Sequence, residues 1–309
     1  MIKNYYIIFE NNHVKSTLLP KTITLEKKYR NKISKITITI FKNIPINVRL
    51  YIIHTEKKNR HCNVVYKNIN FNIKKNVVAN ITNIYFKNNT NNTLFCTRYT
   101  HTLEKKSILY TVSVTSTYDD IKNYISTQNI QEPNTSLELF YIILPNNLSN
   151  LHIQSHLAEN TKINICTVLK TIEKQKNNIN IKTIHNGKSS SSTNTIKVVT
   201  HKNTNLDIKT AVTIKENANN ITANTCSKAL VLSNNSEIVI KPYLKILNND
   251  VTCTHGASIG LIDNNAIQYM QARGIEINKA KLIIATGFTK EILDKITDNK
   301  IKSYINTIY

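Results

Sequence analysis

The residues best equipped for chemistry lie in Asp250-Val-Thr-Cys-Thr-His-Gly-Ala257, where a thiol and an imidazole, Cys253 and His255, stand two positions apart. On a β-strand, positions i and i+2 point the same way, so both side chains would share one face. A thiolate beside a neutral imidazole can ligate iron, zinc or copper, or form a nucleophile–base pair. The same spacing also fits a buried structural cysteine next to a satisfied histidine, and spacing alone does not separate the two readings. Other candidates are weaker. His61 and Cys62 are adjacent and would point to opposite faces of a strand. Cys226 reads as a core residue. The serine run after Lys188, Ser189 to Ser192, lacks the flanking pattern of a serine nucleophile.

Several chemistries are disfavoured. No glycine-rich phosphate loop is present, so ATP hydrolysis is not expected of this chain itself. Asp119-Asp120 is the one adjacent acidic pair, a poor basis for a glycosidase or lyase. The five cysteines, Cys62, Cys96, Cys166, Cys226 and Cys253, contain no C-x-x-C and are odd in number. That argues against a disulfide framework and a self-contained structural zinc site, and for a reducing compartment.

The composition is dominated by Asn, Ile and Lys, with no Trp and only five Gly and five Pro in 309 residues. Asn, Ile and Lys have A/T-rich codons, which points to a strongly AT-biased genome. The net charge of +22 is read against that bias. The lysines are scattered, no basic run exceeds two residues, and aromatics do not alternate with Arg as a stacking platform requires. Residues 250–309 hold 7 Lys/Arg against 6 Asp/Glu, so the excess lies upstream. Nucleic-acid binding is therefore not the leading reading. The first ten residues are too short and too quickly polar for a signal peptide. No apolar run approaches the roughly 18 residues of a membrane span, so no membrane association is expected.

These residues must be positioned by strands. From about residue 33 to 255 the dominant period is two, as in Ile36-Thr-Ile38-Thr-Ile40 and Ile238-Val-Ile240. β-Branched residues fill these runs, which suits a pleated surface. The breaks are Asn-rich: Asn88-Asn89, Asn146-Asn147, Asn177-Asn178, Asn219-Asn220, Asn234-Asn235 and Asn248-Asn249. Asn tolerates the left-handed backbone that turns require. Late Asn pairs recur about every 15 residues, a cadence of repeated strand–turn units that fits a sandwich or a solenoid. After Gly260 the period changes. Asp263 should cap a helix over 264–273 that stops at Gly274, a second should run from about 278 to 286 and stop at Gly287, and a third should start at Thr289. The simplest role for such a tail is a lid over an open end of the β-region.

Taken together, Leu230-Val-Leu-Ser233, Lys241-Pro-Tyr-Leu-Lys-Ile246, Asp250-Val-Thr-Cys-Thr-His-Gly-Ala257, Ala266 to Ile275 and Ala280 to Phe288 resemble the SufB/SufD family of iron–sulfur cluster assembly proteins, and SufD more than SufB. His185 with its serine run is similar to a His/Ser/Thr rung of that family. The resemblance is specific over about 185–300. It implies a mainly β fold, a right-handed parallel β-helix (β-solenoid) followed by a small C-terminal helical domain. The expected division is 1–32 as a short leading segment, 33–259 as the β-helix core and 260–309 as the helical domain. The family's N-terminal helical region would be largely missing.

The resemblance implies a non-catalytic scaffold that pairs with a SufB-like subunit and docks a SufC-like ABC ATPase, with a homodimer as the alternative pairing. An iron–sulfur cluster would be held transiently through the complex, and ATP would enter only through the SufC-like partner. His255 and Cys253 become the candidates for cluster assembly or metal contact near the subunit interface. Ala266, Ile267, Met270, Arg273, Leu282 and Phe288 become the candidate docking residues for the ATPase. The expected location is the cytoplasm of a bacterial endosymbiont or a plastid stroma. Two other classes stay open: a basic β-rich nucleic-acid-binding protein, and a structural β-solenoid without cluster chemistry.

Overall fold

In the computed structural model, residues 3–308 are described apart from 11–12, 17–18, 20, 31–32, 42–47, 56–62, 86–92, 116–120, 145–147, 172–173 and 234. The expected turns at Asn88-Asn89 and Asn146-Asn147, His61-Cys62 and Asp119-Asp120 lie outside the described residues, as does Asn234. The early strands are β1 (Lys3–Glu10), β2 (His13–Ser16), β3 (Ile23–Arg30), β4 (Ile33–Ile40), β5 (Val48–Thr55), β6 (Asn63–Ile73), β7 (Val78–Tyr85), β8 (Thr93–Leu103) and β9 (Ile108–Thr115). They continue through β10 (Ile121–Gln131), β11 (Ser136–Ile143), β12 (Leu148–Leu157), β13 (Lys162–Lys170), β14 (Lys176–His185), β15 (Ser191–Thr200), β16 (Asn205–Ile214), β17 (Ile221–Val231), β18 (Glu237–Ile246) and β19 (Val251–Leu261). Three helices end the chain: α1 (Asn264–Ala272), α2 (Ile277–Leu293) and α3 (Asn299–Ile308).

Strands alternate between two sheets, which makes a parallel β-solenoid. One sheet has the order β19-β17-β15-β13-β11-β9-β7-β5-β1-β2, the other β18-β16-β14-β12-β10-β8-β6-β4-β3. Among the described strands only β1–β2 and β3–β4 pair antiparallel. Ile108 aligns with Ser136 and Ser136 with Lys162, so a coil takes roughly 26–28 residues there. The 15-residue cadence of Asn pairs is half a coil. The sequence sets the start of the β-region near residue 33, but strands begin at Lys3 and extend both sheets.

The period-two pattern puts one side of each strand into the lumen. Ile36, Ile38, Ile40, Ile69, Phe71 and Ile73 are all fully buried there. The corners use left-handed backbone at Asn76, Asn134, Asn160, Asn203, Asn220 and Asn235, as the Asn-rich breaks suggest, but also at Lys106, Lys174 and Ser189. Gly187 serves a different need. A Cβ there would lie 2.3 Å from the Glu159 backbone nitrogen, so only glycine lets this corner sit on the one before it.

The helical tail departs from expectation twice. α1 starts at the Asp263 cap, whose carboxylate accepts from the Asn265 N–H at 2.9 Å, and Gly274 follows it at φ +80. Gly287, however, does not stop the second helix: α2 runs unbroken to Leu293, and α3 starts after an Asp298 cap. Packing outweighs the modest helix cost of an interior glycine, because Ala285, Thr289, Ile292 and Leu293 are all buried. Nor is the tail a lid on the open end. Ile292, Leu293, Ile296, Ile301 and Ile305 pack on the outer side of the ten-stranded sheet against Val112, Val114, Phe140, Ile142 and Val168. That sheet is thus covered on both faces, while β18 and β19 remain edge strands.

Candidate functional site at the open end

Cys253 and His255 lie on β19, the last strand of its sheet. Register assigns their direction. Ala223 pairs with Cys253 and Thr225 with His255, and Ala223 and Thr225 are the buried, lumen-facing residues of β17. Both candidates therefore share the inner face, as the i, i+2 spacing requires. No further coil follows, so the lumen is open at this level. Cys253 is half-buried beside Leu244 and Val251, and His255 is exposed.

Burial raises the Cys253 thiol above its usual range, with a backbone hydrogen bond from Ala223 opposing the shift. The neutral thiol is thus the resting form, and a bound cation would have to displace its proton. Behind the pair run two inner rows. Ser192, Ala223 and Cys253 form one; Asn194, Thr225 and His255 form the other. His185 sits one step deeper, fully buried between Ser190 Oγ at 2.7 Å and Ser192 Oγ at 2.9 Å, with burial pulling its pKa down to about 4. Among the described residues no group of three His, Cys, Asp or Glu could hold a metal ion. Cys253 and His255 would supply two donors, and a complete ligand set would need others.

Farther along β19, on the same inner face, Ile259 and Leu261 are 50% and 67% exposed, and with Val231, Ile238, Ser233, Asn235 and Ser236 they line a cavity of about 300 Å³ of mixed polarity. β18 carries Pro242, which a strand with a neighbour on only one side tolerates.

The candidate docking residues divide. Ile267 is buried with Val199, Leu232 and Ile262, and Phe288 packs against the same cluster, so these two fix the helices to the solenoid. Ala266 and Met270 are half-buried; Arg273 is exposed and stacks over Tyr269. Leu282 is exposed, and beside it the sequence reading missed Tyr269, Ile277 and Ile283, which are also exposed. Their signal is an apolar residue on the helix face opposite the buried stripe. Also missed was Lys197. It is nearly buried, and its Nζ donates to the Phe288 carbonyl at 2.9 Å and the Glu291 carboxylate at 2.6 Å.

Comparison with known proteins agrees with this architecture. Residues 51–288 match the domain described as "SUF system FeS cluster assembly, SufBD core domain". Protein ABCI7, chloroplastic, from Arabidopsis thaliana is 26% identical over 56% of this chain and 37% of its own length. Iron-sulfur cluster assembly protein SufD from Escherichia coli is 34% identical over 25% of the chain and 18% of its own length. The SufBD family protein ycf24 from Galdieria sulphuraria is 29% identical over 45% of the chain and 63% of its own length. The chain thus spans less than two thirds of each of these relatives. The open-ended parallel solenoid and the match over most of its length agree, and the chain belongs to the SufBD core family of the SUF iron–sulfur cluster assembly system, most like SufD.

Proposed function

We propose that this chain is a SufD-like scaffold subunit, not an enzyme in itself, in an iron–sulfur cluster assembly complex. The observation that carries the reading is the unfinished end of the solenoid. There two edge strands are open, and β19 carries the donors Cys253 and His255 towards its start and exposed Ile259 and Leu261 at its end, all on the inner face. Edge strands with free backbone groups and exposed apolar residues are suited to pairing with another chain. A SufB-like subunit meeting this end would add the missing donors, and iron and sulfide would be substrate held between the two chains. A second copy of this chain is the alternative partner.

The exposed face of Leu282, Ile283 and Tyr269 on α1 and α2 is the proposed seat of a SufC-like ATPase, which would supply ATP hydrolysis. Among the described residues no helix is long and apolar enough to cross a membrane. A plastid or a bacterial endosymbiont is the proposed setting, in keeping with the AT-biased composition and the chloroplastic relative.

The test is co-expression of the full chain with SufB-like and SufC-like proteins of its source. Leu261→Asp should release the SufB-like subunit alone, and Leu282→Asp the ATPase alone. His255→Ala should keep both partners and lose cluster formation. Retention of both partners by both Asp variants would overturn the assembly reading, and normal cluster formation by His255→Ala would leave a structural solenoid without cluster chemistry.

A further inference from the structure

The helices cover one sheet of the solenoid, whereas the outer face of the other stays open to solvent. On that face, strands one coil apart in sequence become neighbours. Tyr66 aligns with Cys96 and Cys96 with Tyr124; Asn68 aligns with Arg98 and Arg98 with Ser126. Strands lie about 4.8 Å apart, so Tyr66 and Tyr124 stand roughly 10 Å from one another across β8. Each tyrosine is 47% exposed, Arg98 is exposed, and together they border a groove of about 320 Å³.

Over β6 to β14 the charge on this face has one sign, whereas farther along the sheet β16 carries Asp207 and β18 carries Glu237. β6, β8, β10, β12 and β14 contain no Asp or Glu at all. Exposed Lys122 lies two residues before Tyr124 on β10, and exposed Lys182 lies two rows of the sheet further on β14. The other outward positions hold mostly Asn, Ser, Thr, Gln and His, with Cys96 between the two tyrosines and Leu94, Lys176 and Ile184 among the rest. A protein interface of ordinary size is built on a desolvated apolar core, and among the described side chains at the outward positions of β6, β8 and β10 Ile130 is the one strongly exposed aliphatic residue. Aromatic faces, cations and amide or hydroxyl groups on a flat sheet are what bases and phosphates recognise. We propose that this face binds single-stranded nucleic acid, with bases stacking on Tyr66 and Tyr124 and the phosphate backbone held by Arg98, Lys122 and Lys182. The coil repeat explains why the sequence hides it: residues adjacent on the sheet are a full coil apart in the chain, so neither a basic run nor an aromatic–basic alternation appears. The face is separate from the Cys253 end, and the inference does not rest on the scaffold reading.

Anisotropy of a fluorescent 15-nucleotide poly(U) RNA, titrated with the full chain, tests it. Binding should weaken roughly tenfold between about 50 and 200 mM salt. Tyr66→Ala with Tyr124→Ala should weaken it about tenfold or more, and Arg98→Glu should do so with both tyrosines in place. Lys215→Ala, a charge removed elsewhere on the surface, should leave binding within about twofold, since one distant cation contributes little. Melting temperatures of all variants control for folding, and Arg98→Glu stands alone if the tyrosine pair lowers stability. No saturable binding at low salt overturns the proposal. So does equal loss in Lys215→Ala, which means nonspecific attraction to a basic chain. Competition by polyglutamate with no effect of the tyrosine variants also overturns it and points to an acidic protein.

Discussion

The backbone N–H of Asn220 donates to the Asp250 carboxylate at 2.9 Å, in the place where earlier corners of the solenoid use a backbone carbonyl. Asn76 donates to the Lys105 carbonyl, Lys106 to Pro133, Asn134 to Glu159, Asn160 to Lys188 and Ser189 to Asn219. Each donor is a left-handed corner residue, and each acceptor precedes the corner residue of the next coil. Asn220 belongs to the last left-handed corner of this column, and the one corner that follows it, between β18 and β19, holds no left-handed residue. Asp250 supplies a side-chain oxygen instead, and its own N–H is satisfied by Asn248 Oδ1 at 2.8 Å.

Asp250 is therefore a terminal cap for the corner column. Asp250→Ala leaves the Asn220 donor without a protein partner and should cost about 1 kcal/mol, while Asp250→Asn keeps an acceptor oxygen and should cost less. Urea unfolding of the three proteins checks the order. Equal midpoints for wild type and Asp250→Ala would show that solvent serves the donor as well, and that the column needs no cap.

The same column shows what was legible beforehand. Asn at corners could be read from the sequence because Asn carries its own local reason to turn. Lys106, Lys174 and Ser189 could not, because they take left-handed backbone only where the neighbouring coil imposes it. Cys253 and His255 were placed on one face by spacing alone, but that this face is the open lumen depends on β19 having no successor. The tail was misread at Gly287 because propensity is local, whereas the buried stripe Ala285–Thr289–Ile292 is set by the sheet beneath it. Likewise Lys197 reads as one lysine among many until α2 is folded back on the solenoid, 94 residues away in sequence.

Lys197 ties α2 to the solenoid. Its side chain is 11% exposed, its Nζ lies 5.2 Å from the Phe288 ring centre, and its pairing holds the Glu291 carboxyl below the usual range. Glu291 is 59% exposed and can return to water if the pair is broken, which limits the cost. Lys197→Met keeps the apolar stem but removes the donor to the Phe288 carbonyl, and should loosen α2 by about 1–1.5 kcal/mol. Hydrogen exchange of α2 amides should then quicken about tenfold, with β9 to β15 unchanged. Uniform quickening across the solenoid would mean that Lys197 supports the whole fold and not the docking of the helix.

Buried imidazoles make the solenoid sensitive to acid. His101 lies inside the lumen, 2.7 Å from Asn129 Oδ1 through Nδ1, with Phe71 and Tyr99 stacked against its ring. Asn129 Nδ2 donates to Ser155 Oγ at 2.8 Å, which orients the amide so that its oxygen accepts from His101 Nδ1–H. Nε2 then has no hydrogen-bond partner among the described residues, and burial lowers the pKa to about 4. His185 is lowered to about 4 by burial as well, and half-buried His156 is lowered by burial and by Lys182. In the unfolded chain these rings titrate near 6.5. Above that value both states are neutral and the full stability is present. As pH falls from about 6.5 towards 4, the unfolded chain binds protons that folded His101 and His185 refuse, so stability drops by up to about 1.4 kcal/mol per pH unit for each of these two buried rings. Urea midpoints should therefore fall between pH 7 and 5, and the fall should be smaller in His101→Gln, which cannot take up the proton. A midpoint that is flat over this range, or a slope unchanged in His101→Gln, would mean that the lumen admits the charged ring.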